Sequence, residues 1–201
     1  MNEKLTRMLS GTVYVAIMWF GSSYSKTSLT LLFTFILLVC LYEMYKLRKG
    51  KTKALAFLYV LFPLLLIHII PTNLVLLMFI LTWTFDTFAY IAGIRFGKHK
   101  IMPNVSPNKS WEGFAGGFIF TVIATYLTGS YFSAIEINEI IAIGLLVPFT
   151  ATIGDFIESY FKRKAEVKDS GNLIPGHGGM LDRMDAFMIT IPAIYIIINL
   201  L

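Results

Sequence analysis

Apolar residues run through this chain in long blocks, 29–41 and 54–70 among them, separated by short polar segments. A helix needs about 20 residues to cross the hydrocarbon layer of a bilayer. The blocks predict seven helices, at 7–21, 28–45, 54–70, 73–93, 111–131, 139–161 and 185–201. The first is short and fits a small tilt or a partly interfacial position. No small-x-small cleavage site follows it, so it reads as an uncleaved helix rather than a signal peptide. The fourth and sixth blocks are less uniformly apolar than the rest.

Composition turns this pattern into a class. Of 201 residues, 56% are apolar and only 14% charged, against about 25% charged in a soluble domain. Charge this sparse excludes a soluble enzyme, a disordered tail and a nucleic-acid-binding module, despite a net charge of +5. The expected fold is an all-α polytopic membrane protein in one integral domain, 1–201. Cys40 lies within an apolar run and, as the only cysteine, has no internal disulfide partner; it reads as a small buried hydrophobe.

The basic residues orient the helices. With the N-terminus in the cytoplasm, sixteen of the seventeen Lys and Arg residues fall in inner segments, and only Lys26 lies outside. Such asymmetry is the usual topological signal and supports the seven-helix register. The C-terminus is then expected outside. The cluster at 46–53 reads as a topological anchor that touches anionic lipid.

Two inner segments, 95–112 and 161–185, mix bases with carboxylates, Gly, Pro and His. The second has 25 residues without an apolar run, and a long polar loop in a protein of otherwise minimal loops is usually functional. The helices entering both segments carry acids at membrane depth. Asp86 lies nine residues before Arg95, about 13 Å in at 1.5 Å per residue. Asp155 lies seven residues before Lys162, about 10 Å in. Burying such groups in lipid is costly, so they mark a polar cavity, here expected to open to the cytoplasmic face. An interhelical hydrogen bond or a snorkelling side chain is the alternative. Asp155, Glu158, Ser159 and Lys162 share one helical face. Asp182 and Asp185, one turn apart, suit either a hard cation such as Mg²⁺ or the capping of a helix N-terminus.

From Ser159 to Asp185 the chain resembles the signature of the phosphatidate cytidylyltransferases, or CDP-diacylglycerol synthases. The matching positions are Ser159, Lys162-Arg163, Lys168-Asp169, Gly171, Ile174, Pro175, His177-Gly178-Gly179 and Asp182-Arg183-Met184-Asp185. Upstream, residues 86–90, Gly97-Lys98, Ser106-Pro107-Asn108-Lys109 and Trp111-Glu112-Gly113 resemble that family's other cytoplasmic-side motifs. The likeness covers 86–185, leaving 1–85 as hydrophobic helices and 185–201 as the last helix.

The resemblance implies a reaction between CTP and phosphatidic acid that yields CDP-diacylglycerol and pyrophosphate. Asp182 and Asp185, with Asp169 as a third ligand, are then expected to hold Mg²⁺. Lys162, Arg163, Lys168 and Arg183 are expected to bind phosphate. His177, Gly178 and Gly179 form a turn that lets backbone N–H groups approach an anion, with His177 as proton carrier or as hydrogen-bond donor. Asp86, Asp155, Lys109 and Glu112 are expected to line the cavity beneath, where one of the acids can hold a second cation. Ser106 and Ser159 complete the substrate-binding set. CTP, phosphatidic acid and membrane lipid are the expected partners, nucleic acid is not, and the resemblance allows a homodimer. The short chain and the lack of a targeting segment point to a bacterial inner membrane.

Rival readings lack their own signatures. A CTP-dependent polyprenol or phytol kinase is not expected to carry the full 159–185 pattern. A CDP-alcohol phosphotransferase needs a D-G-x-x-A-R run, which is absent. A cation-coupled transporter is expected to show paired repeats, and none is found.

Overall fold

The computed structural model describes residues 3–47 and 53–200. Seven helices form where the apolar blocks predict them: α1 (Glu3–Ser23), α2 (Lys26–Leu47), α3 (Lys53–Leu66), α4 (Thr72–Phe96), α5 (Trp111–Thr128), α6 (Ile137–Ala165) and α7 (Leu181–Leu200). The basic segment 48–52 lies outside the described residues, and with it most of the proposed anchor. Three helices, α2, α4 and α6, are long and apolar enough to cross a membrane on length and composition alone.

Several ends differ from the sequence expectation for identifiable reasons. α3 stops at Leu66 rather than at residue 70, and its 14 residues reach only about 21 Å. Pro71 follows closely, and the residue before a proline is disfavoured in the helical region. α6 begins at Ile137, two residues earlier than expected, where Glu136 and Glu139 form a capping box, and it runs on to Ala165. Lys162, Arg163 and Lys164 lie in its last turn, where cations favour the helix dipole. α7 begins four residues earlier than expected, so Asp182 and Asp185 both lie on the helix.

One element escaped the periodicity argument altogether. Between α4 and α5 the chain makes a short antiparallel hairpin of β1 (Lys100–Met102) and β2 (Ser106–Ser110). Its sequence is too polar and proline-rich to alternate as a half-buried strand does.

The packing is that of helices brought close by small residues, as expected where lipid gives no hydrophobic drive between them. At Gly113 a Cβ atom would sit 2.8 Å from the Ala89 carbonyl, so α5 can approach α4 there only with glycine. Gly154 makes the same kind of approach between α6 and the backbone of Asp185 and Ala186 on α7. The Tyr59 hydroxyl from α3 donates to the Gly154 carbonyl at 2.8 Å beside that crossing. An aromatic cluster of Phe33, Phe79, Trp83 and Phe187 fills the middle, with Phe79 and Phe187 edge to face at 5.3 Å.

Contacts between distant segments gather several helix ends on one side. The Ser10 hydroxyl of α1 donates to the Pro175 carbonyl at 2.7 Å. Glu43, near the end of α2, meets the start of α7. The Arg163 guanidinium of α6 donates to the Val105 carbonyl at the hairpin tip, 3.3 Å away. The other ends of α2 and α3 meet where Lys26 donates to the Ile70 carbonyl at 3.4 Å.

Candidate active site

The hairpin forms one wall of a cavity of about 680 Å³, set against α4 and α5. Asp86, Ser106, Asn108 and Lys109 line it together with Phe85 and Gly93. Local chemistry explains why this wall holds its shape. Ser110 caps α5, its side chain accepting the Gly113 N–H at 3.2 Å. Glu112, in the first turn of α5, accepts the N–H groups of Lys98 at 3.1 Å and His99 at 3.2 Å, and pairs with the His99 ring at 2.6 Å. Carboxylates that accept backbone N–H groups make stronger bonds than neutral acceptors do. Glu112 therefore serves the wall rather than the cavity itself.

Lys109 reaches out of the cavity to form an ion pair with Asp155 on α6. That contact leads directly to a group of acids. Oxygens of Asp155, Glu158 and Asp185 all lie within 4.8 Å of one another. Asp155 and Glu158 stand one helical turn apart, and the Gly154 crossing brings Asp185 of α7 beside them. Glu158 is fully buried, and no backbone N–H or hydroxyl among the described residues donates to its oxygens. Among the described residues its counter-charge is Lys162, which it meets in an ion pair.

A buried carboxylate with a single partner is costly, and two further acids beside it raise that cost by like-charge repulsion. A divalent cation relieves both penalties at once, and hard cations favour carboxylate oxygens. The donor set therefore fits a metal ion such as Mg²⁺. Ser159 donates to Asp155 at 3.4 Å and steadies one member.

The loop between α6 and α7 is tied to this cluster through Lys162, which pairs with both Glu158 and Asp182, and is organised around two carboxylates. Asp182 takes Lys162 on one oxygen at 2.8 Å. Its other oxygen accepts the N–H groups of Ser170 and Gly179, each at 2.8 Å. Glu43 of α2 accepts the N–H groups of Met180 at 3.0 Å and Leu181 at 2.7 Å, the first donors of α7. The Ser170 hydroxyl sits between the two acids, 2.9 Å from Asp182 and 3.0 Å from Glu43. Gly178 has φ of 86°, a conformation that suits glycine.

His177 turns towards α1, with its Nδ1 3.0 Å from the Ser10 hydroxyl. Burial and the neighbouring Arg183 guanidinium hold its imidazole below the ordinary histidine value. Arg183 itself donates to the His177 carbonyl at 3.0 Å.

The structure thus brings some of the sequence-derived residues together and keeps others apart. Asp86, Ser106 and Lys109 share the cavity, and Lys109 joins it to Asp155 and Asp185. Of the acids expected to share a cation, Asp185 is in the cluster. Asp182 is engaged by Lys162, Ser170 and Gly179. Asp169 and Lys168 are exposed on the loop. Arg163 holds the hairpin tip, and the Gly179 N–H is already given to Asp182.

Glu43, Glu158 and Ser170 carry more of the site than the sequence reading assigned them. For Glu43 the signal was present. It is the sole acid in the 22 residues of α2, and an ionisable group in an apolar run calls for a partner.

Comparison with known proteins adds an independent line. Residues 57–201 match the sequence profile of the cytidylyltransferase family. A phosphatidate cytidylyltransferase of Thermotoga maritima is 44% identical over 126 residues, which is 60% of this chain and 47% of that protein. One of Staphylococcus aureus strain COL is 44% identical over 126 residues, 62% of this chain and 48% of its own length. One of Staphylococcus saprophyticus is 42% identical over 125 residues, with the same shares. The chain spans about half the length of the curated relatives it matches.

Proposed function

This chain belongs to the cytidylyltransferase family, and from that premise we propose that it transfers the cytidylyl group of CTP to phosphatidic acid. A phosphate oxygen of the lipid attacks the α-phosphorus of CTP, the bond to the β-phosphate breaks, and CDP-diacylglycerol and pyrophosphate are formed. The observation that carries this reading is the cluster of Asp155, Glu158 and Asp185, joined through Lys109 to a cavity walled by the hairpin.

The second pKa of a phosphate monoester is about 6, so at neutral pH the nucleophile is already largely ionised. The chain's task is to bring two polyanions together and neutralise them. Asp155, Glu158 and Asp185 are the residues we assign to Mg²⁺, which when bound screens the phosphate oxygens and the departing pyrophosphate. Lys109, Arg163, Lys168 and Arg183 supply positive charge around the phosphates. Lys162 and Asp182 hold each other and keep the loop tied to the acids, with Asp169 at its exposed edge. His177 acts as a hydrogen-bonding group that ties the loop to α1, since no strong base is required. Asp86 and Ser106 face the substrate from the cavity wall.

In this reading the chain crosses a bacterial inner membrane seven times, with α3 and its following turn the shortest crossing. Its N-terminus and cavity face the cytoplasm, where CTP enters from water and the lipid headgroup from the leaflet. A homodimer is compatible with it.

Purified protein given CTP, Mg²⁺ and phosphatidic acid is expected to release pyrophosphate and form CDP-diacylglycerol. Absence of both products from folded protein would overturn the assignment. Cysteines placed at Asn138 and Lys49 are expected to label from opposite sides of the membrane, and labelling from one side would remove the seven-crossing arrangement.

A further inference from the structure

We infer that Glu43 is a positioning residue, a carboxylate on α2 that sets the cation-binding geometry of acids carried by α6 and α7. The inference rests on the metal assignment above and goes beyond it, because Glu43 lies in the hydrophobic N-terminal half, outside residues 57–201 that match the family profile.

The geometry is specific. Glu43 is only 4% exposed, and both of its oxygens are used. A helix start leaves N–H groups without intrahelical partners. Here two of them, from Met180 and Leu181, are satisfied by an acid 137 and 138 residues earlier in the chain. The same carboxylate receives the Ser170 hydroxyl, which also touches Asp182. The loop backbone is shaped around it. A Cβ at Gly171 or at Gly179 would lie 2.5 Å from a Glu43 oxygen.

Glu43 therefore fixes where α7 begins and at what rotation. Asp185 sits one turn further along, so its carboxylate meets Asp155 and Glu158 only if that rotation holds. The oxygens of the three acids lie within 4.8 Å of one another, and a site of this kind needs its groups held to within about 0.5 Å. Outer residues that orient metal ligands typically change metal affinity by about 10–100-fold when altered.

The test compares Glu43→Gln, Glu43→Asp and Phe33→Leu, the last a core change on the same helix away from the loop. Mn²⁺ binding is read by electron paramagnetic resonance in detergent without substrates, beside thermal melting of each protein. Glu43→Gln replaces an acceptor by an NH₂ that faces backbone donors. It is expected to weaken Mn²⁺ binding about tenfold, and the Mg²⁺ concentration for half-maximal turnover rises in parallel. Glu43→Asp keeps the charge and is expected to recover part of the affinity, which also serves if Glu43→Gln fails to fold. Phe33→Leu is expected to lower the melting temperature with an unchanged Mn²⁺ constant.

Glu43 variants that melt earlier but bind Mn²⁺ within twofold of the parent would overturn the inference. So would a parent protein that binds no Mn²⁺. If Mn²⁺ binding shifts as expected while the parent fails to turn over CTP and phosphatidic acid, the proposed reaction falls and the positioning role stands.

Discussion

The hairpin between α4 and α5 is anchored at its base by near neighbours and touched by α6 through Arg163 and Asp155, whereas the loop between α6 and α7 is held by residues from far earlier in the chain. Glu112 grips Lys98 and His99, 14 and 13 positions away. The loop depends on Ser10, 165 residues before Pro175, and on Glu43, 138 residues before Leu181. Both segments are polar and both border the candidate site, yet they differ in what maintains them. A hairpin whose base is fixed by local contacts is expected to tolerate change in α1 and α2. A loop clamped by α1 and α2 makes the N-terminal helices part of the site's geometry.

The comparison can be broken most decisively at its meeting point. Asp185→Asn removes one charge from the acid cluster while leaving shape unchanged. It is expected to lower turnover by at least about 100-fold, with thermal melting close to that of the parent. Near-parental activity would show that Asp185 holds no essential cation.

Gly179→Ala tests the loop next. Its Cβ would meet Ser170 and Glu43, and overpacking of this kind costs about 1–3 kcal/mol. Gly113→Ala presses on the Ala89 carbonyl and is expected to cost a similar amount of stability. Chemical denaturation should find the two comparable, while Mn²⁺ titration should find affinity reduced only for Gly179→Ala. Equal losses of affinity would mean the two regions are coupled after all.

A smaller effect is expected at the hairpin's own anchor. Glu112→Gln is expected to raise the KM for CTP roughly threefold with an unchanged Mn²⁺ constant, since exposed charge pairs contribute little. Steady-state kinetics at saturating Mg²⁺ would measure it.

The smallest effect concerns pH. The His177 value is lowered on folding, so the unfolded chain binds the proton more readily. Its contribution to stability is complete above the ordinary histidine value of 6.5. It is lost as pH falls from there through the lower folded value. Melting temperatures from pH 7.5 to 5.5 should therefore decline less in His177→Asn than in the parent. Identical slopes would show that the loop does not hold His177 neutral.

Much of this was legible in advance where the reason is local. Apolar blocks located all seven helices because lipid-facing and core-facing positions alike must be apolar. Asp86 and Asp155 stood out because ionisable residues inside apolar helices need a purpose, Asp185 through its spacing from Asp182, and Lys109 through the resemblance. The resemblance over 86–185 agrees with the family to which the chain belongs. The hairpin was missed because proline and polar residues hide strand alternation. Glu43 was visible as the sole acid of α2, but its partners, two backbone N–H groups and the Ser170 hydroxyl, lie far along the chain and could not be named from the sequence.

The order of residues alone therefore determined the class of protein, the helices and the family, since these follow from hydrophobicity and short-range spacing. Which carboxylates meet was decided only by tertiary structure. Asp155, Glu158 and Asp185 converge because Gly154 lets α6 and α7 touch and Glu43 holds the start of α7. Asp182, three residues from Asp185, faces Lys162 and the loop instead. Close helix contact and long-range hydrogen bonds arise from the fold as a whole, and no spacing along the chain encodes them.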